Sequence, residues 1–133
     1  MKRPILAVVA GLVTWIVVAT LLDLVVRRAI SGYAAAEPSL TFTLPMMIAR
    51  LALGAASSVA AGAVAARIAR RPTWVPWVLS AVMLGYFLPV HAHLWHALPA
   101  WYHLTFLVTL APLVVLGAML TRRLGLENVP STT

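Results

Sequence analysis

Apolar residues dominate four stretches of this chain, 4–26, 44–66, 75–95 and 101–120, and polar residues gather in the joints between them. A bilayer's hydrocarbon core is about 30 Å thick, and a helix needs ~20 mainly apolar residues to cross it. All four stretches reach that length. None shows the polar stripe of an outer helix in a soluble bundle. Nor do they alternate apolar with polar, as barrel strands do over ~10 residues. Between positions 5 and 22 the only polar side chains are Thr14, Thr20 and the indole of Trp15. With no water in the hydrocarbon, a helix satisfies its own backbone hydrogen bonds within one segment. The pattern predicts an all-α polytopic membrane protein. Its four transmembrane helices form an antiparallel up-down bundle, a single domain over 1–133, with the lipid bilayer as its first partner.

Composition sharpens this picture. The chain is 62% hydrophobic and 10% charged, against roughly 25% charged residues in ordinary soluble domains. A disordered tail and a nucleic-acid arm are excluded with it. There are no cysteines, so disulfide scaffolds, thiol catalysis, thiolate zinc sites and iron–sulfur centres are excluded too.

The net charge of +7 reads as topology and as attraction to anionic lipid; no nucleic acid is expected as a partner. Lys2, Arg3, Arg67, Arg70, Arg71, Arg122 and Arg123 share one side of a four-span chain, and Arg27 and Arg28 take the other. The excess of basic residues marks the cytoplasmic face, which places both termini in the cytoplasm. Trp74 and Trp77 then lie at the cytoplasmic interface. Tyr33, Phe42, Trp95, Trp101 and Tyr102 lie at the outer one, where amphipathic rings settle. Trp15 falls in mid-span, as a packing residue. Arginine outnumbers lysine nine to one, which points to a bacterial cytoplasmic (inner) membrane. The alanines at 34–36 resemble a signal-cleavage site, but the apolar run before them exceeds the usual 7–15 residues, so the first helix is expected to be retained.

The joints are short. The longest, 27–43, has room for a brief interfacial helix, with Thr43 as N-cap of the second span and Pro45 in its first turn. Pro72 marks the loop 67–74, and Pro89 should kink the end of span three. The joint 97–100 is so tight that spans three and four must be antiparallel neighbours. A polar tail over 125–133 is expected to be mobile. In span two, Gly54, Ser58, Gly62 and Ala66 recur every four residues. They make a flat ridge for close helix packing, within the chain or against a second copy.

Charges inside a span cost at least ~2.5–3.5 kcal/mol at its centre and usually face the bundle interior. There are two, Asp23 and Arg50. At 1.5 Å per residue they lie roughly 5 Å and roughly 9 Å below the outer ends of their helices, in one leaflet. Two pairings are open: Asp23 with Arg50 across the helices, or Asp23 with Arg27 one turn on while Arg50 snorkels outward. All four histidines fall in the string HAHLWHALPAWYH from position 91. On a helix His93 and His96 share a face, and His103 is just across the hairpin. Those three are metal candidates, since neutral imidazoles suit zinc, copper or nickel. Haem needs two histidines facing one another from separate helices. Interfacial anchoring beside Trp95, Trp101 and Tyr102 is the plainer role. His91 lies deeper, so Asp23, Arg50, His91 and His103 form a candidate outer-leaflet polar pocket.

No zinc-protease HExxH, GxSxG elbow, P-loop or GxGxxG is present. The acids are Asp23, Glu37 and Glu127, too few and too dispersed for paired-carboxylate chemistry. Size and span count are those of small four-helix transporters and channels. The small multidrug transporters, however, carry a glutamate in mid-helix one. The fluoride channels carry a Gly-rich arginine motif that MMIARLALG around Arg50 does not reproduce. An intramembrane enzyme would require a bound lipid or quinone near Asp23, Arg50 and His91; beside it the sequence leaves two non-enzymatic functions open. One is a non-enzymatic accessory or homo-oligomeric bundle acting by helix association, with itself or another membrane protein. The other is a small-ligand, metal-ion or proton-coupled binding or transport protein using the polar pocket.

Overall fold

The computed structural model describes residues 2–70 and 73–125. All regular structure among them is helical. The long helices are α1 (Lys2–Ala29), α3 (Leu44–Ala69), α4 (Val75–His93) and α5 (Ala100–Arg123); α2 (Tyr33–Ala36) is a single turn that runs into a 3-10 turn, Glu37–Ser39. The four long helices are each long and apolar enough to cross a membrane. Arg71, Pro72, Glu127 and the polar tail beyond Gly125 lie outside the described residues.

Helix ends differ from the apolar stretches in an instructive way. Hydropathy marks where hydrocarbon could lie, whereas backbone hydrogen bonding continues into charged residues. So α1 runs on through Arg27 and Arg28, and α3 through Arg67. The third long helix is the exception and stops early. Leu94–Ala97 form turns, closed by Leu94 N–H to Val90 C=O at 3.1 Å and Ala97 N–H to Leu94 C=O at 3.0 Å. Pro45 and Pro76 sit in first turns, where a missing N–H costs nothing. Pro89 and Pro112 stand inside α4 and α5, which stay helical through them.

Helix α3 is the hub, packing most extensively on α1 and α5. Small residues make this possible. A Cβ on Gly62 would stand 1.8 Å from the Val114 carbonyl oxygen, and one on Gly117 2.0 Å from that of Val59. Two glycines thus bring the α3 and α5 backbones into direct contact, each receiving the other helix's carbonyl. Gly11 makes room for the side chain of Leu79 from α4. Around these contacts Ala61, Ala65, Leu79, Met83, Leu110 and Val114 form the core. Gly54, Ser58, Gly62 and Ala66 are all buried within this chain. Contacts between α1 and α3 descend one helix as they climb the other: Gly11 meets Ala61, Trp15 meets Ser58, and Asp23 approaches Arg50.

Candidate functional site

Four polar residues, one from each long helix, converge toward one end of the bundle. Asp23 lies in the last two turns of α1, Arg50 in the first two turns of α3, His91 in the last turn of α4 and His103 in the first turn of α5. The segment between α1 and α3 folds over this end. Gly32, at φ 83°, turns the chain into α2, and Leu40, at φ 57°, turns it back toward α3. A left-handed leucine costs roughly 1–2 kcal/mol. Its compensation is local: Leu40 packs on a cluster of Met47, Leu98 and Tyr102.

This fold-back builds a charge network. Arg27 Nε donates to Asp23 Oδ2 at 3.0 Å, and its guanidinium also pairs with Glu37. Arg50 Nη1 donates to the Tyr33 hydroxyl at 2.8 Å. That hydroxyl donates in turn to Asp23 Oδ1 at 3.0 Å. Arg50 Nη1 lies 3.5 Å from Glu37 Oε2 and 4.0 Å from Asp23 Oδ1. Arg50 Nε donates to the Tyr102 hydroxyl at 3.2 Å, and the guanidinium lies over the Phe42 ring at 4.7 Å. Two acids face two arginines, so the cluster is electrically balanced. Burial pushes the Tyr33 hydroxyl up to about 12, against the pull of the Arg50 charge.

Both sequence pairings of Asp23 are therefore present in modified form. The bond to Arg27 is direct, while that to Arg50 passes through Tyr33. Arg50 reaches across to Tyr33 of α2 and Tyr102 of α5. Two members of this network carry no sequence signal that would place them in it, and Glu37 is marked only by its place in the outer loop over the pocket mouth. Tyr33 and Tyr102 look like interfacial anchors, yet both are buried. Glu37 looks like a solvated loop acid, yet it contacts both arginines.

The histidines divide into two groups. His91 is 7% exposed and His103 fully buried, with their Nδ1 atoms 2.7 Å apart. His103 Nε2 lies 3.1 Å from the Leu94 carbonyl. A carbonyl only accepts, so His103 Nε2 carries a proton. The His103 ring is further fixed by Trp95, stacked at 5.0 Å and 18°, and His91 stacks on Phe106 at 4.7 Å. The expected metal trio of His93, His96 and His103 places His93 and His96 on one helix face. Because α4 ends at His93, His96 sits in a turn; His93 and His96 are exposed while His103 faces inward. Among the described residues no three His, Cys, Asp or Glu side chains are gathered to hold one ion. The short contact between His91 and His103 is a hydrogen bond. Two imidazoles on one zinc, each bound at ~2.0 Å, stand farther apart.

Between the network and the histidine pair lies a cavity of about 130 Å³. Every long helix contributes to its wall: Trp15 from α1, Arg50 and Gly54 from α3, Phe87 and His91 from α4, Tyr102 and Phe106 from α5. The Trp15 indole N–H is already donated to Ser58 Oγ at 3.1 Å, so Trp15 offers its ring. Of the four pocket residues expected from the sequence, Arg50 and His91 line the cavity. Asp23 and His103 stand behind them, each hydrogen-bonded to a partner. Comparison with known protein families, curated proteins and solved structures yields no match.

Proposed function

We propose that this chain is a four-pass membrane protein that binds a small ligand in the cavity between its helices. The helices form an antiparallel up-down bundle with both termini in the cytoplasm, in a bacterial cytoplasmic membrane. Support for the sidedness comes from the basic residues, seven against two. The polar end then lies in the outer leaflet. The observation that carries the binding reading is the cavity itself. Pockets between helices of a bundle are habitual ligand sites, apolar with a few convergent polar groups. Here the polar groups are Arg50 and His91, each held by neighbours and each with an atom to spare. Intramembrane ionisable side chains facing a cavity are functional candidates by default.

Action by helix association is the weaker reading, because the ridge of Gly54, Ser58, Gly62 and Ala66 is spent on packing inside the chain. Binding is tested by native mass spectrometry of the full chain taken directly from its membrane into nanodiscs. The wild type should carry a small-molecule adduct that His91→Phe loses. A bare wild-type chain, together with no response to a panel of small aromatic and acidic compounds, would overturn the reading.

A further inference from the structure

The binding reading leaves the ligand unspecified, and the spare atoms of Arg50 and His91 narrow it; a ligand class drawn from those atoms rests on that reading. His103 Nε2 donates to the Leu94 carbonyl. In a neutral His103 ring, Nδ1 is then bare and accepts. The proton shared between the two rings must therefore sit on His91 Nδ1. This fixes the His91 tautomer: its Nε2 is a bare acceptor. Among the described residues nothing donates to it. Arg50 is committed through Nε and Nη1, which leaves the two N–H groups of Nη2.

His91 and Arg50, with a spare acceptor and spare donors, thus line the cavity together with the rings of Trp15, Phe87, Tyr102 and Phe106. A carboxylate has no hydrogen for His91, and a purely apolar molecule leaves both groups unpaired, which buried sites penalise. A hydroxyl on an aromatic ring satisfies both: its O–H donates to nitrogen, its oxygen accepts from the guanidinium, and its faces meet aromatic walls. At about 130 Å³ the cavity is slightly smaller than the roughly 150 Å³ known to take benzene, so a single ring is the largest group it encloses. We infer that this cavity binds a single hydroxyl-bearing aromatic ring, a phenol or the head of a lipid-soluble quinol. The hydroxyl bridges His91 Nε2 and Arg50 Nη2.

The test is fluorine NMR of 4-fluorophenol, 4-fluorotoluene and a fluorinated butyrate with the full chain in nanodiscs, corrected for partition into empty nanodiscs. The phenol should bind at least tenfold more tightly than the toluene, which has its shape and lacks its hydroxyl. His91→Phe keeps an aromatic ring at that position, and in this variant the tenfold preference should vanish while toluene binding survives, which separates loss of recognition from loss of fold. A hydroquinone with an isoprenoid tail distinguishes the source: competition assigns a membrane quinol, and its failure to compete assigns a free phenol. Equal binding of phenol and toluene would overturn the hydroxyl assignment while leaving an apolar binding cavity. Binding of butyrate in place of phenol would overturn the ligand class alone. Silence from all three probes would overturn the cavity reading with it.

Discussion

Nδ1 of His91 and Nδ1 of His103 stand 2.7 Å apart, joining the end of α4 to the start of α5 inside the protein. Removing either ring strands the other's buried polar atom, which costs about 1–3 kcal/mol. His103→Ala should lower stability by that amount, and the His91→Ala, His103→Ala double variant should lose clearly less than the sum of the singles. Chemical denaturation in mild detergent gives both numbers; additive losses would mean the rings are not coupled.

Helix contact at Gly62 and Gly117 admits no side chain. An added Cβ meets main chain, at 1.8 Å and 2.0 Å, and main chain cannot rotate aside. Gly62→Ala and Gly117→Ala should each destabilise by about 3 kcal/mol, the upper part of the overpacking range. Gly85 is the control: a Cβ there meets nothing within 4 Å, and its replacement by alanine in α4 should be neutral or slightly stabilising. Thermal unfolding of the three variants side by side separates close packing from general glycine effects.

Tyr33 is the bridge between Asp23 and Arg50, which are 4.0 Å apart on their own. Asp23→Asn and Arg50→Gln should each cost ~1–3 kcal/mol through lost charge-assisted bonds. The double variant should cost less than their sum. In a Tyr33→Phe background that coupling should shrink, because the relay through the hydroxyl is gone. A full coupling in that background would show that the two charges interact directly.

The same hydroxyl sets an alkaline limit. Burial raises its pKa from 10.0 to about 12 in the folded chain. Folded protein thus holds the proton more tightly than unfolded protein does. By linkage, its contribution is unchanged below pH 10 and is lost as pH climbs from 10 to 12. Midpoints of thermal unfolding across that window should fall more steeply for the wild type than for Tyr33→Phe; identical slopes would mean Tyr33 is solvated.

The helices are legible in the sequence because twenty-residue apolar runs have no other solution in lipid. The common depth of Asp23 and Arg50 is legible from helix rise alone. The ridge on α3 is legible too, but its counterpart is not. Gly117 is a lone glycine in α5, and no periodicity announces it. Tyr33 and Tyr102 read as interfacial rings for a related reason. Their hydroxyls meet Arg50 across 17 and 52 residues of chain; the fold-back of α2 brings Tyr33 inward, and the packing of α5 on α3 brings Tyr102. The shared helix face expected for His93 and His96 is interrupted where turns begin at Leu94, a helix end that hydropathy does not mark.

The chemistry assigned to Arg50 and His91 depends on their lying between helices that cross a bilayer with this end outward. The chain has no cysteine, so single cysteines report cleanly. Thr41 and Thr73 are exposed and lie in different joints. With a membrane-impermeant maleimide on intact cells, Thr41→Cys should be labelled at once, and Thr73→Cys only after the membrane is opened. Equal labelling of both before permeabilisation, or the reverse order, would contradict it.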